Sequence, residues 1–476
     1  MADAPALPPD LAGDFAPATA ADWRALVDKT LGESPYSTIE TATVEGMPIA
    51  PLYAPADRPR APARAVPADR AWEVATLTAH PDRARANAEI LADLRGGAAA
   101  TILRIDPTGR AGTAVGSVAD LSQALDGVIL EFAPVALDAG FLGPQAADWL
   151  AMAAKASPGA LIRFHLDPLS AWAGSGASPG PIEAHLIAAA NVAVRLAATY
   201  PRAQLFLASG RVTHEAGGGE ALEVAFATAA AIAYAKALVD AGLPMAKAFA
   251  GITLGLSADA DYFLTIAKLR AARAVWARVA TACGADPVAR VEARSSRRML
   301  TAKDAWTNMI RLTAAGFGAA VGGADTIVLG NFTDALGLPT EFARRQSRNA
   351  QLVLMEEAHI GRVADPAAGS GYIEAMTDQM ARAAWAEMQT IEAVGGFIAA
   401  LTSGQIARQV AAANAGRPEP RIIGVNAFPP DRDQAVEVEI AAARPVEAPS
   451  PRLPGPDSLC PPLAPMRIAE PFEAVQ

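Results

Sequence analysis

Short apolar runs recur along the chain with amphipathic helical patterns between them. The runs predict strands at ATILRI (100–105), GVILEF (127–132), ALIRFHL (160–166) and AQLFLAS (203–209), then at AGITLGL (250–256), ARVEAR (289–294), DTIVLG (325–330) and RVAD (362–365). Helical spacing fills the intervals 117–125, 145–156, 181–200, 219–242, 258–282, 302–320 and 341–358, and returns from 372 to about 413. Strand and helix alternate throughout, which is the signature of an α/β fold with a parallel sheet. Eight such units over residues 72–371 predict a (βα)8 TIM-type barrel, followed by a C-terminal helical extension at 372–413. A doubly wound sheet would place a Gly-rich turn after its first strand. Here that turn reads Asp106-Pro107-Thr108-Gly109, without G-x-G-x-x-G.

The ends of the chain lack this alternation. Residues 1–71 form an N-terminal arm and linker: a Pro/Ala-rich start, an amphipathic helix at DWRALVDKTL, an extended run TATVEGMPIAPLY (41–53), and a Pro/Ala/Arg-rich segment from Ala54 to Arg70. Residues 414–476 hold one short apolar run, RIIGVNAF (421–428), and then turn Pro-dense, which predicts an extended tail lying along a partner.

Composition narrows the function. With 476 residues, 52% hydrophobic and 19% charged, the chain is globular with a large core. A formal charge of −10 argues against nucleic-acid binding, which needs clustered excess Lys and Arg. The two cysteines, Cys283 and Cys460, support no disulfide framework. None of the five histidines has a second histidine close in sequence, so no zinc site and no other metal site is expected. The N-terminus lacks a basic segment followed by an apolar one, and the apolar run at 221–242 is broken by Glu223, Lys236 and Asp240. A cytoplasmic protein with a buried helix, and no membrane span, is expected.

Longer blocks carry a resemblance. DALGLPTEFARR, RNAQLVLMEE, DPAAGSGYIE and IEAVGGF, with IAKLRAARAVWARV (266–279) and HPDRARANAEILADLRGGAAATILRIDP (80–107), resemble the barrel domain of methylmalonyl-CoA mutases. The arm resembles the same family in its Trp-led helix and its G-x-x-I-x-P-L-Y run, Gly46 to Tyr53. The resemblance implies a (βα)8 barrel and a complex that uses adenosylcobalamin on acyl-CoA substrates.

The landmarks that carry chemistry in that family are altered here. The family's S-G-Y-H-M-x-E-A-G run corresponds to Ser209-Gly210-Arg211-Val212-Thr213-His214-Glu215-Ala216-Gly217, with Arg211 and Val212 in place of Tyr and His. Valine offers no donor to a thioester carbonyl. Ser209 and His214 remain as weak substrate-binding candidates, His214 as a substitute donor or simply as a polar loop residue. No tyrosine lies between Tyr53 and Tyr200, where the family has a second one. The R-T-H-S-Q run is shortened to Arg294-Ser295-Ser296-Arg297-Arg298, and N-D-x-L-K-E is absent between 181 and 200. Gly330 replaces the histidine of S-L-H-T-N. The cobalt-binding D-x-H-x-x-G has only a distant echo at Glu357-Ala358-His359-Ile360-Gly361, read here as a helix end, and the tail is too short for a cobalamin-binding domain. Leu103, Leu130, Leu205, Leu207 and Leu329 are expected to fill the barrel where catalytic members keep a channel for CoA.

The resemblance therefore implies the non-catalytic small (beta) subunit of a heterodimeric mutase, with no catalytic, cofactor or metal residues of its own. Its partner would be a homologous large (alpha) subunit holding adenosylcobalamin and acyl-CoA. Two alternatives stay open: an active barrel that borrows a separate cobalamin-binding subunit, and a non-enzymatic barrel that binds a partner protein.

Overall fold

The structure, a computed structural model, describes Ala16 and residues 18–54, 71–447 and 458–474. The linker segment Arg58–Arg70, and the parts of the arm and tail expected at 1–15 and 448–457, lie outside these residues.

Eight parallel strands close into a barrel: β1 (Glu73–Thr78), β2 (Ala100–Arg104), β3 (Val135–Asp138), β4 (Ile162–Leu166), β5 (Gln204–Ser209), β6 (Ile252–Ala258), β7 (Val291–Ser295) and β8 (Thr326–Val328). Closure is by β8 on β1, where Thr326 pairs with Glu73 and Val328 with Ala75. A helix follows each strand: α1 (Arg83–Arg95), α2 (Val118–Ala124), α3 (Gly143–Ala153), α4 (Ile182–Thr199), α5 (Glu220–Asp240), α6 (Tyr262–Ala282), α7 (Asn308–Val321) and α8 (Glu341–Leu352). Beyond them α9 (Gly371–Ala393) begins the C-terminal extension. Side-chain caps start many of these helices; Asp82 accepts from the N–H groups of Ala84 and Arg85, Ser117 from Asp120, and Thr340 from Ala343.

The expected fold is present, but three strand assignments differ. The first strand, Glu73–Thr78, was not anticipated: its sequence EVATLT interleaves small and polar residues and has no apolar run. The run 127–132 is not a strand; Phe132 is 81% exposed, and the strand starts only after Pro134. RVAD (362–365) is the end of a short 3-10 helix followed by a bend, because β8 has already closed the barrel and Asp365 is held instead by Arg270.

The strand faces turned to the helices supply the main core, with Val74, Leu103, Leu137, Phe164, Leu254 and Ile327 all buried. Helix α5 is buried on nearly every side, which explains its Ala-rich composition: small side chains let the barrel wall and α9 approach it together. Burial of most of this helix fits a core helix better than a membrane span.

The tail differs from expectation too. Its described parts lie on the chain's own barrel, across the loops that follow the strands. Val446 N–H donates to Pro107 O at 2.8 Å, Leu463 N–H to Ala173 O at 2.8 Å, and Ile468 N–H to Arg298 O at 3.0 Å. The arm divides in two. Its helix Ala20–Leu31 buries no residue, with Leu26 64% exposed. Its short hairpin is anchored, because Glu45 accepts from the first amides of α5, those of Ala221 and Leu222.

Candidate functional site

Side chains of non-adjacent strands meet across the barrel, so their contacts run through its lumen. Near the start of the strands, Arg163 of β4 pairs with Glu73 of β1 and donates to Thr326 Oγ1 of β8 at 3.1 Å. Above them, Arg294 of β7 reaches Asp138 of β3 at 3.0 Å and Glu292 at 2.7 Å. Arg104 of β2 donates to the same Asp138 oxygen at 3.1 Å. A small apolar layer of Ala75, Ala100, Ile102, Ala136 and Val328 completes the interior. Of the leucines expected as filling, Leu103, Leu205 and Leu329 join the main core and Leu130 precedes β3; Leu207 alone keeps to the lumen face, beside Gly255, whose strand partner is Glu292. A chain of ion pairs, not bulky aliphatic side chains, crosses the barrel axis.

This network is electrostatically uneven. Burial pushes the Asp138 carboxyl up, but Arg104 and Arg294 outweigh it and hold it far below the usual carboxylate range. Burial likewise pushes Glu292 up, and Arg294 beside it wins, leaving it at about 2. His165 of β4 goes the other way: burial lowers it to about 4 against the pull of Glu292, so it is neutral. His165 also sits at a positive φ of 46°, where β4 slips register between Arg163 and Leu166, and neither ring nitrogen has a hydrogen-bond partner. A strained, unsatisfied residue inside a barrel marks a special position.

The strand ends open into a mouth cavity of about 780 Å³, bordered by Arg104, Arg211, Arg294, Gly330 and the tail residues Glu439 and Ile440. The sequence candidates separate here. Gly210 ends β5 against α5, where an added Cβ would lie 2.2 Å from Glu223 O, and the chain turns into the short helix Arg211–Glu215. That turn sends Arg211 into the mouth, with its Nε donating to Ser209 Oγ at 3.1 Å. Ser209 therefore positions Arg211 and does not itself border the cavity. Val212 packs beside Gly174, away from the cavity. Gly330 borders it, its N–H donating to Ser295 Oγ at 2.7 Å, and a side chain there would begin 2.7 Å from the Asp334 carboxylate.

His214 is neither a loop residue nor a mouth donor. It is fully buried, with Nδ1 3.2 Å from Glu223 and 3.4 Å from Glu220, and Nε2 3.1 Å from Asp259. Lys268 pairs with both glutamates, and Arg298 reaches Asp259 at 3.0 Å. Burial and Arg298 push His214 down, yet the carboxylates Glu220 and Glu223 overcome them and raise it to about 10. Ligand atoms of His214, Glu220 and Glu223 lie within 4.8 Å of one another, the spacing of a metal site. The cluster nonetheless balances itself, with His214, Lys268 and Arg298 answering Glu220, Glu223 and Asp259, and a cation would have to displace Lys268.

Sequence reasoning missed Arg104, Asp138, His165 and Glu292. One signal was available: Glu292 and Arg294 alternate within ARVEAR, so both had to face the same side of their strand.

Comparison with known proteins agrees with this architecture. Residues 60–449 match the family model described as methylmalonyl-CoA mutase. The chain is 38% identical over 470 residues to the methylmalonyl-CoA mutase small subunit of Streptomyces virginiae, covering 91% of this chain and 74% of that one. It is 39% identical over 431 residues to the probable small subunit of Mycobacterium bovis (84% of this chain, 68% of the relative). It is 35% identical over 438 residues to the small subunit of Propionibacterium freudenreichii subsp. shermanii (86% and 67%). The chain belongs to the methylmalonyl-CoA mutase family.

Proposed function

We propose that this chain is the non-catalytic small (beta) subunit of a cytoplasmic, heterodimeric, adenosylcobalamin-dependent methylmalonyl-CoA mutase. The complex interconverts methylmalonyl-CoA and succinyl-CoA, and the homologous large chain holds both cobalamin and acyl-CoA. The observation that carries the reading is the ion-paired chain Arg104–Asp138–Arg294–Glu292 across the barrel axis. In a catalytic barrel of this family an acyl-CoA threads that axis; here it would have to break the buried Arg294–Glu292 pair and the half-buried pairs on Asp138, which is unfavourable. Arg211, Val212 and Gly330 at the family's chemical positions support the same conclusion.

The residues present do not fit cobalamin. The face it would occupy is crossed by the tail, whose Glu439 is bound to Arg85 at 2.7 Å and lies 3.1 Å from His80 Nε2. His80, the histidine bordering the mouth, is thereby engaged and cannot serve as a free axial ligand. No step is therefore assigned to the cofactor on this chain.

A partner surface is supported by the arm helix Ala20–Leu31, which stands with no buried residue. An amphipathic helix without a packed face gains its stability from another surface. Co-expression with a large mutase chain tests the reading: a 1:1 complex active only through the large chain is expected. Rigorously purified small chain that forms succinyl-CoA with added adenosylcobalamin would overturn it.

A further inference from the structure

The charges at the top of the lumen do not balance. Three guanidiniums, Arg104, Arg211 and Arg294, converge there, and two carboxylates, Asp138 and Glu292, answer them. His165 adds nothing because it is neutral. The sum is one uncompensated positive charge in a buried place, an arrangement that is costly unless something answers it.

Its geometry points outward. All three guanidiniums border the mouth cavity, whereas Asp138 and Glu292 do not. Arg294 is 5% exposed, and its Nη2 has no hydrogen-bond partner. Arg211 uses only Nε, on the neutral Ser209, and makes no ion pair among the described residues. Acidic side chains on the cavity rim are already engaged. Asp93 is held by Arg344 and Arg348, Glu89 by Arg344 at 3.3 Å, and Glu439 by Arg85. Asp334 accepts from Asn331, and Glu215 from the backbone amides of Arg297 and Arg298. The Arg211 fork and the Nη2 of Arg294 are therefore left unpaired beside one space whose rim carboxylates are held by other groups.

We propose that the mouth cavity binds a compact oxyanion, a carboxylate or a phosphate group, between Arg211 and Arg294. Guanidinium forks match such groups bidentately, and charge-assisted hydrogen bonds in a screened cavity are strong. Leu77, Val328, Leu336 and Leu338 border the same cavity, so the oxyanion can be the head of a small organic molecule with an apolar body. The proposal does not depend on the subunit assignment.

Thermal unfolding of the full chain tests it, with sodium phosphate and sodium acetate added in separate arms against sodium chloride at equal ionic strength. Phosphate, acetate or both should raise Tm above the chloride control, and the stronger arm identifies the preferred oxyanion. Arg211→Gln removes the excess charge, so it should fold and lose about tenfold or more in apparent affinity. Arg211→Lys keeps the charge but not the fork, and should lose most of the same response. Arg110→Gln, on the exposed rim of the same cavity, should keep it. No stabilisation beyond chloride in either arm overturns the proposal, as does an R211Q response equal to wild type.

Discussion

His214 offers a sharp test of the buried charge cluster. It lies fully inside the protein between Glu220, Glu223 and Asp259 and is raised to about 10 from an ordinary 6.5. A raised histidine stabilises the folded state fully below its unfolded value, near pH 6.5, and loses that contribution as pH climbs through the folded value. At pH 7 an unfolded histidine is already mostly neutral, so the stabilisation spans the roughly three pH steps up to the folded value at about 1.4 kcal/mol each, on the order of 4 kcal/mol. His214→Gln removes the cation while keeping a hydrogen-bonding side chain of moderate size. It leaves Glu220, Glu223 and Asp259 facing only Lys268 and Arg298, one negative charge in excess. Loss of one member of such a buried network costs about 3–5 kcal/mol. Urea unfolding of wild type and H214Q from pH 6 to pH 10 should show this gap, largest at pH 6 and narrowing steadily towards pH 10. A gap that is flat across the range, or a His214 ring that titrates near pH 6.5 by NMR, would refute the charged-cluster account.

Other outcomes follow from the same contacts. Asp93→Asn removes the carboxylate that holds Arg344 and Arg348 in the interior, and should cost about 3 kcal/mol or more in chemical denaturation. Deleting residues 1–34 removes the unpacked helix but spares Glu45, so circular dichroism should show an intact barrel while the heterodimer weakens in size exclusion; an unchanged heterodimer would refute the arm's role. Restoring Tyr and His with the double change Arg211→Tyr, Val212→His should not create mutase activity, because the ion pairs across the lumen remain. Measurable turnover by that variant would contradict the blocked-lumen argument.

The sequence was legible wherever one face of a segment is apolar. Runs such as AGITLGL and AQLFLAS became β6 and β5 because their outward residues pack on helices. It was illegible at β1, where Glu73, Ala75 and Thr76 break the run although the strand is as buried as its neighbours. The lumen network was hidden for another reason: Arg163 and Glu73 are 90 residues apart, and nothing local announces their pairing. His214 was named as a candidate, yet its role turned on whether the chain after Ser209 stays extended or coils. It coils, and the short helix Arg211–Glu215 places His214 among Glu223 and Asp259 in the interior while Arg211 borders the mouth. The tail looked like partner-binding chain because it has no core pattern. Several of its hydrogen bonds are made by its backbone to loops of its own barrel, and its side-chain bonds, such as Glu439 to Arg85, join residues far apart in sequence, so no local pattern reveals them.

The central claim, a chemically silent barrel paired with a cofactor-bearing one, is tested most directly by counting cobalamin in the purified complex. Visible spectroscopy of the 1:1 assembly, saturated with adenosylcobalamin and freed of excess by gel filtration, gives the number bound per pair of chains. One cobalamin per heterodimer is predicted, and two per heterodimer would contradict the account.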